Sequence, residues 1–139
     1  MIPQRLEPNA DAEMICALAA SWKISAELAV RLHKFAKLLE RIFNVSIISG
    51  YRTPEEQQAL RRSGRPTAPD DVSTHLTCPA TGADLQPGVA VTNQVIAEFG
   101  RAAALSGLRW GGGSPVDAAT GFPTDWQHVD LGPRAAHRS

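Results

Sequence analysis

Two histidines and an aspartate, His75, Asp84 and His128, each stand beside an expected strand or turn and together offer the donors of a zinc shell. Zinc takes nitrogen, sulfur and carboxylate oxygen in a tetrahedral arrangement, and a catalytic site uses three protein ligands so that water holds the fourth position. Spacing alone does not single out these three, because a chain of this size offers other triplets. Cys78, three positions after His75, supplies a thiolate, so His75, Cys78 and His128 form a second set, with a buried thiol as the plain alternative. Asp130 lies two residues beyond His128 on an expected strand, so both project to one face. The run Trp110-Gly111-Gly112-Gly113-Ser114 could suggest a phosphate cradle. It lacks the spacing of a nucleotide-binding loop, and Pro115 follows it in place of a helix, so it reads as a mobile loop at the rim of a site. Trp126 either walls a cleft or packs in the core.

The elements that must position these groups follow from periodicity and punctuation. Asn9 can cap a helix over residues 10–20, in which Ile15, Leu18 and Trp22 recur at helical spacing. A second helix starts near Ser25. Its apolar stripe runs Leu28, Leu32, Phe35, Leu39 and Ile42, with Arg31, Lys34, Lys37 and Arg41 on a solvated face and His33 as a structural residue. The β-branched run 45–49 reads as a strand ending at Gly50. Thr53-Pro54-Glu55-Glu56 then announces a helix by its cap, first-turn proline and capping-box glutamate, and Gly64 is its expected stop. Prolines 66, 69, 79 and 87 make long regular elements unexpected over residues 64–88 and suggest a site-building loop. A helix from Thr92 carries Val91, Val95, Phe99 and Ala102 and ends at Gly107. Short strands are expected at residues 108–110 and 129–131.

The chain has 139 residues, 43% hydrophobic and 20% charged, which fits one domain with its own core and excludes a long disordered or collagen-like chain. Lysines and arginines total 14 and so do the acidic residues, so no global charge favours nucleic acid or anionic membrane. No run approaches the ~18 apolar residues of a membrane span, and residues 1–9 lack an apolar segment of secretory-signal length. A soluble chain is expected. Cys16 and Cys78 permit one disulfide, though a core of this size does not require one.

Four segments occur in order: Ser49-Gly50-Tyr51-Arg52-Thr53; Ser73-Thr74-His75 with Gly82-Ala83-Asp84-Leu85; Leu108-Arg109-Trp110-Gly111-Gly112; and Asp125-Trp126-Gln127-His128-Val129-Asp130-Leu131. The series resembles the M15 family of zinc peptidases, which includes D-Ala-D-Ala carboxypeptidases and phage L-alanyl-D-glutamate endopeptidases. The resemblance spans residues 45–131, behind N-terminal helices in residues 1–44. It implies a single α+β domain over residues 1–139, a small antiparallel sheet with packed helices and a zinc site on the sheet. Carried over by motif, it implies His75, Asp84 and His128 as Zn2+ ligands and Asp125, three positions before the last histidine, as general base, leaving Asp130 behind the ligands or at the sheet edge. Arg52 would face the substrate and stabilise negative charge or pair with a substrate carboxylate, with an internal salt bridge as its structural alternative. His75 and Asp84 stand nine positions apart, two more than in the family pattern S-x-H-x-x-G-x-A-x-D. An even insertion preserves side-chain parity along flanking strands.

The resemblance implies hydrolysis of an amide in the peptidoglycan stem peptide, of the phage or bacterial endolysin type. Such a chain would be made in the cytoplasm of the producing or infected bacterium and act at the cell wall after release, with a pore-forming partner granting access. The longer spacing points to a second class, a phage structural or binding protein that keeps the fold and zinc without hydrolysing. A third reading is a hydrolase of the same fold acting on another amide.

Overall fold

The structure, a computed structural model, describes residues 2–64 and 79–132; His75 and Cys78, and with them the alternative ligand set, lie outside the described residues. The element order is β1 (Gln4–Arg5), α1 (Ala12–Trp22), α2 (Ala26–Leu39), β2 (Val45–Ser49), α3 (Pro54–Arg62), β3 (Gly82–Pro87), α4 (Asn93–Leu105), β4 (Arg109–Trp110), a 3-10 turn at Gly111–Gly113 and β5 (His128–Asp130). The strands form one sheet in the order β1-β2-β3-β5-β4, every neighbouring pair antiparallel. This is the expected α+β class, with helices packed against a small antiparallel sheet. Among the described residues no helix is long and apolar enough to cross a membrane.

Local chemistry explains most of the elements. The Thr53 hydroxyl accepts the Glu56 N–H at 3.2 Å and the Glu56 carboxylate accepts the Thr53 N–H at 3.1 Å, the reciprocal box read from the sequence. Ser25 and Thr92 cap α2 and α4 through their hydroxyls alone, which accept the Leu28 and Val95 N–H. The first helix departs from expectation. Asp11, directly before the first helical residue, caps it through the Met14 N–H at 2.8 Å, while the Asn9 side chain accepts from Lys37 Nζ at 2.7 Å. The stripe Leu28, Leu32, Phe35 and Leu39 is fully buried, whereas Ile42 lies past the helix end and is exposed. His33 is structural, its Nδ1 donating to the Glu7 carbonyl at 2.7 Å. Cys16 is exposed and free.

Residues 64–88, where a site-building loop was expected, hold β3, a six-residue strand between β2 and β5 that carries Asp84. Its alternation, Ala83 and Leu85 against Asp84 and Gln86, spans only four residues between Gly82 and Pro87, which are poor strand formers, and Pro79 and Pro87 bound it without interrupting it. Its Ala83 and Leu85 face the core with Ile47 of β2 and Val129 of β5. Phe99 of α4 sits at the centre, edge-on to Phe35 at 5.2 Å and to Trp126 at 5.2 Å, with Phe43 stacked at 6.1 Å. Full burial of each such ring contributes about 1.5–3 kcal/mol. Trp126 is therefore a packed aromatic that ties the segment before β5 to the core.

Candidate metal centre

Strand register builds the site. Asp84 pairs across β3 and β5 with His128, and Asp130 pairs with Arg109 of β4. Cross-strand partners share a face, and alternation sends Ala83, Leu85 and Val129 to the core while Asp84, His128 and Asp130 take the opposite face. On the other side of β3, an irregularity between Ile47 and Ser49 sets Ser49 opposite Asp84, where regular pairing would put Ile48. The chain then turns at Gly50, where a Cβ would lie 2.6 Å from the Trp22 carbonyl oxygen, so only glycine passes there. This turn leads Arg52 back to the site.

Asp84 Oδ1 lies 3.2 Å from His128 Nδ1, and Asp84 Oδ2 accepts from Arg52 Nη2 at 2.8 Å. Arg52 also donates through Nη1 to the fully buried Gln57 at 2.9 Å and through Nε to Ser49 Oγ at 3.3 Å. The internal salt bridge considered for Arg52 is thus present, and it fixes the Asp84 carboxylate. His128 Nε2 donates to Asp130 Oδ2 at 2.7 Å. The fully buried Asp130 carboxylate also accepts both arms of the half-exposed Arg109, at 2.8 and 2.7 Å, and the Gly132 N–H at 2.8 Å. Asp125, exposed at the turn before β5, completes a group in which one ligand atom each from Asp84, Asp125 and His128 lies within 4.8 Å of the others.

Burial by itself would lower the His128 pKa, but the hydrogen bonds to Asp130 and Asp84 and the charges of Asp84 and Asp125 outweigh it, raising the value from 6.5 to about 10. Burial would raise the Asp130 pKa, but the hydrogen bonds from His128 and Arg109 and their charges hold it at about 2, below the ordinary 3.8. Because the Asp130 carboxylate fixes a proton on Nε2, a neutral His128 would point its Nδ1 lone pair at Asp84 Oδ1. Two acceptors facing each other at 3.2 Å need a proton or a cation between them. An imidazole nitrogen facing a carboxylate, backed by a second carboxylate on the far ring nitrogen, is a donor pair that suits zinc, with Asp125 close beside it.

Of the residues expected from the sequence, Asp84, His128, Asp125 and Arg52 come together, and Asp130 stands directly behind His128. His75 lies outside the described residues. Gln57 and Arg109 were not anticipated in their roles. Arg109 stood in a quoted motif, but its hold on Asp130 depends on strand register, and nothing in the sequence marks Gln57 as the buried partner of Arg52. The Gly-rich run, expected as a loop at the rim of the site, lies beside Asp125, with Gly111–Gly113 in a 3-10 turn packed against it.

No family model matches the chain, and no curated protein matches it. Among solved structures it is similar to the L-Ala D-Glu endopeptidase ChiX of Serratia marcescens, with a TM-score of 0.56 and 18% sequence identity over 78% of this chain and 80% of that one. At this identity the likeness is one of fold.

Proposed function

We propose that the chain is a zinc peptidase of the M15 type that hydrolyses an amide of the peptidoglycan stem peptide, as an endolysin does. The observation that carries this is the cross-strand pair Asp84 and His128, with Asp125 beside it, on a fold shared with an L-Ala D-Glu endopeptidase. Asp84 and His128 would hold the metal, with His75 as third ligand. Bound zinc supplies an acidified water, its pKa lowered from about 15.7 toward about 7, and a Lewis acid for the carbonyl.

The remaining work falls to the protein's own groups. Asp130 and Arg109 hold the His128 ring so that Nδ1 is presented toward Asp84. Arg52 orients the Asp84 carboxylate, and its positive charge favours the negative oxygen that develops on the substrate carbonyl. Asp125, exposed beside Asp84 and His128, would accept the proton of the attacking water and return it to the departing amine. Incubation of zinc-loaded protein with purified peptidoglycan should release new amino termini, and a chelator should stop the release. Mass spectrometry of the fragments identifies the bond.

The spacing of nine positions between His75 and Asp84 favours a second reading, a binding protein that keeps the fold and the metal. Zinc-loaded protein that releases no new termini from walls of several bacterial types would establish it in place of the peptidase.

A further inference from the structure

The run Trp110-Gly111-Gly112-Gly113-Ser114 touches the segment that carries Asp125 at three points. The Trp110 indole N–H donates to the Trp126 carbonyl at 2.7 Å. The Ser114 hydroxyl accepts the Asp125 backbone N–H at 2.9 Å. Gly111 lies so close to Asp125 that a Cβ there would sit 2.2 Å from its carbonyl oxygen. The indole packs closely against two glycines. A Cβ at Gly112 would lie 2.2 Å from the ring on one flank and one at Gly100 of α4 would lie 2.6 Å from it on another. Residues 115–124 leave and return between these contacts, closed by Thr124 N–H to the Pro115 carbonyl at 2.9 Å and by a bridge between Val116 and Pro123. Ser114 and Asp125 therefore meet at the base of a closed excursion.

We infer that Trp110, Gly111, Gly112 and Ser114 form a positioning clamp that fixes the backbone of Asp125 beside Asp84 and His128, a role that rests on reading Asp125 as the general base. The glycines at 111 and 112 are required for close approach, since neither has a positive φ. Gly113 is the internal control, because a Cβ there meets nothing within 4 Å. A misplacement of about 1 Å in a reacting group can cost about 10²-fold in rate, which sets the scale for Gly111→Ala. Loss of the single Ser114 acceptor, which water can replace at this exposed turn, should cost less.

The experiment compares Gly111→Ala, Ser114→Ala, Ser114→Thr, Gly113→Ala and Asp125→Asn in zinc-loaded protein. It reads kcat and KM on peptidoglycan fragments, zinc content and exchange of the Asp125 amide hydrogen. The expected pattern is a fall in kcat of about 10²-fold for Gly111→Ala and a smaller fall for Ser114→Ala at unchanged KM and zinc content. Ser114→Thr should restore kcat, Gly113→Ala should match wild type, and the Asp125 amide should exchange faster in Ser114→Ala. If Asp125→Asn is inactive while Gly111→Ala and Ser114→Ala match Gly113→Ala, the clamp is refuted and the base stands. If Asp125→Asn is as active as wild type, the base reading falls and the clamp loses its purpose. Should wild type show no hydrolysis, amide exchange still decides whether the clamp exists: faster exchange in Ser114→Ala supports it and unchanged exchange overturns it.

Discussion

Replacing Asp130 by alanine removes a fully buried carboxylate that accepts from His128, from both arms of Arg109 and from Gly132. Arg109 is half exposed and can turn to water, so its share is small, about 0–1 kcal/mol. The charge-assisted bond to His128 contributes about 1.5–3 kcal/mol, and a buried backbone N–H that loses its acceptor costs about 1–3 kcal/mol. Allowing for relaxation, the metal-free protein should lose about 4 kcal/mol. For a chain of 139 residues the unfolding entropy is about 0.3 kcal/mol per degree, so Tm should fall by about 13 °C. Zinc affinity should weaken about 10–100-fold, because the ring presenting Nδ1 is no longer held from behind. Asp130→Asn keeps a carbonyl oxygen for Nε2–H and should recover part of both losses. Calorimetry of metal-free protein near pH 5.5 and a zinc titration check these values. A Tm within 2 °C of wild type together with unchanged affinity would refute the role given to Asp130, and with it the electrostatic account of His128.

Asp125→Ala should keep near-normal zinc content and Tm, since the side chain is exposed, while peptide hydrolysis falls about 10²-fold or more; equal activity would show that another group moves the proton. Arg52→Ala should remove one of the two cationic partners of the buried Asp84 carboxylate, leaving His128, and cost about 1.5–3 kcal/mol in a denaturant melt; a cost below about 1 kcal/mol would mean that the pair is dispensable. Metal-free protein should show a pH-dependent Tm whose direction follows from the two shifted groups. The His128 contribution is complete below 6.5 and disappears as pH rises through about 10, and the Asp130 contribution is complete above 3.8 and disappears as pH falls through about 2. Thermal melts should therefore be highest between about pH 4 and 6.5, and a Tm that climbs steadily from pH 6.5 to 10 would contradict the arrangement.

What the sequence made legible was whatever one segment decides by itself. The stripe Leu28 to Leu39, the Thr53 to Glu56 capping box and the β-branched run before Gly50 each carry a local signal strong enough to survive packing. Strand β3 carried only a weak signal, because its alternation spans four residues between Gly82 and Pro87, too short to stand out among the surrounding prolines. The site divides along the same line. Asp130 could be placed on the face of His128 by parity alone, and Asp125 by its motif. That Asp84 stands opposite His128, and Arg109 opposite Asp130, depends on register between strands up to 44 residues apart. The cap of α1 went to Asp11 over Asn9 because Asn9 found a partner in Lys37, a contact between distant segments. The Gly-rich run gave its composition away but not its purpose. Glycine needed for close approach looks the same in sequence as glycine needed for flexibility.

The central claim is that β3 and β5 together present a metal site, and zinc content measured after zinc-replete purification tests it most directly. Wild-type protein should carry about one zinc per chain, and Asp84→Ala and His128→Ala should each lose most of it, since three protein ligands leave little redundancy. Wild-type protein without zinc, or an Asp84→Ala variant that retains it in full, would contradict the assignment.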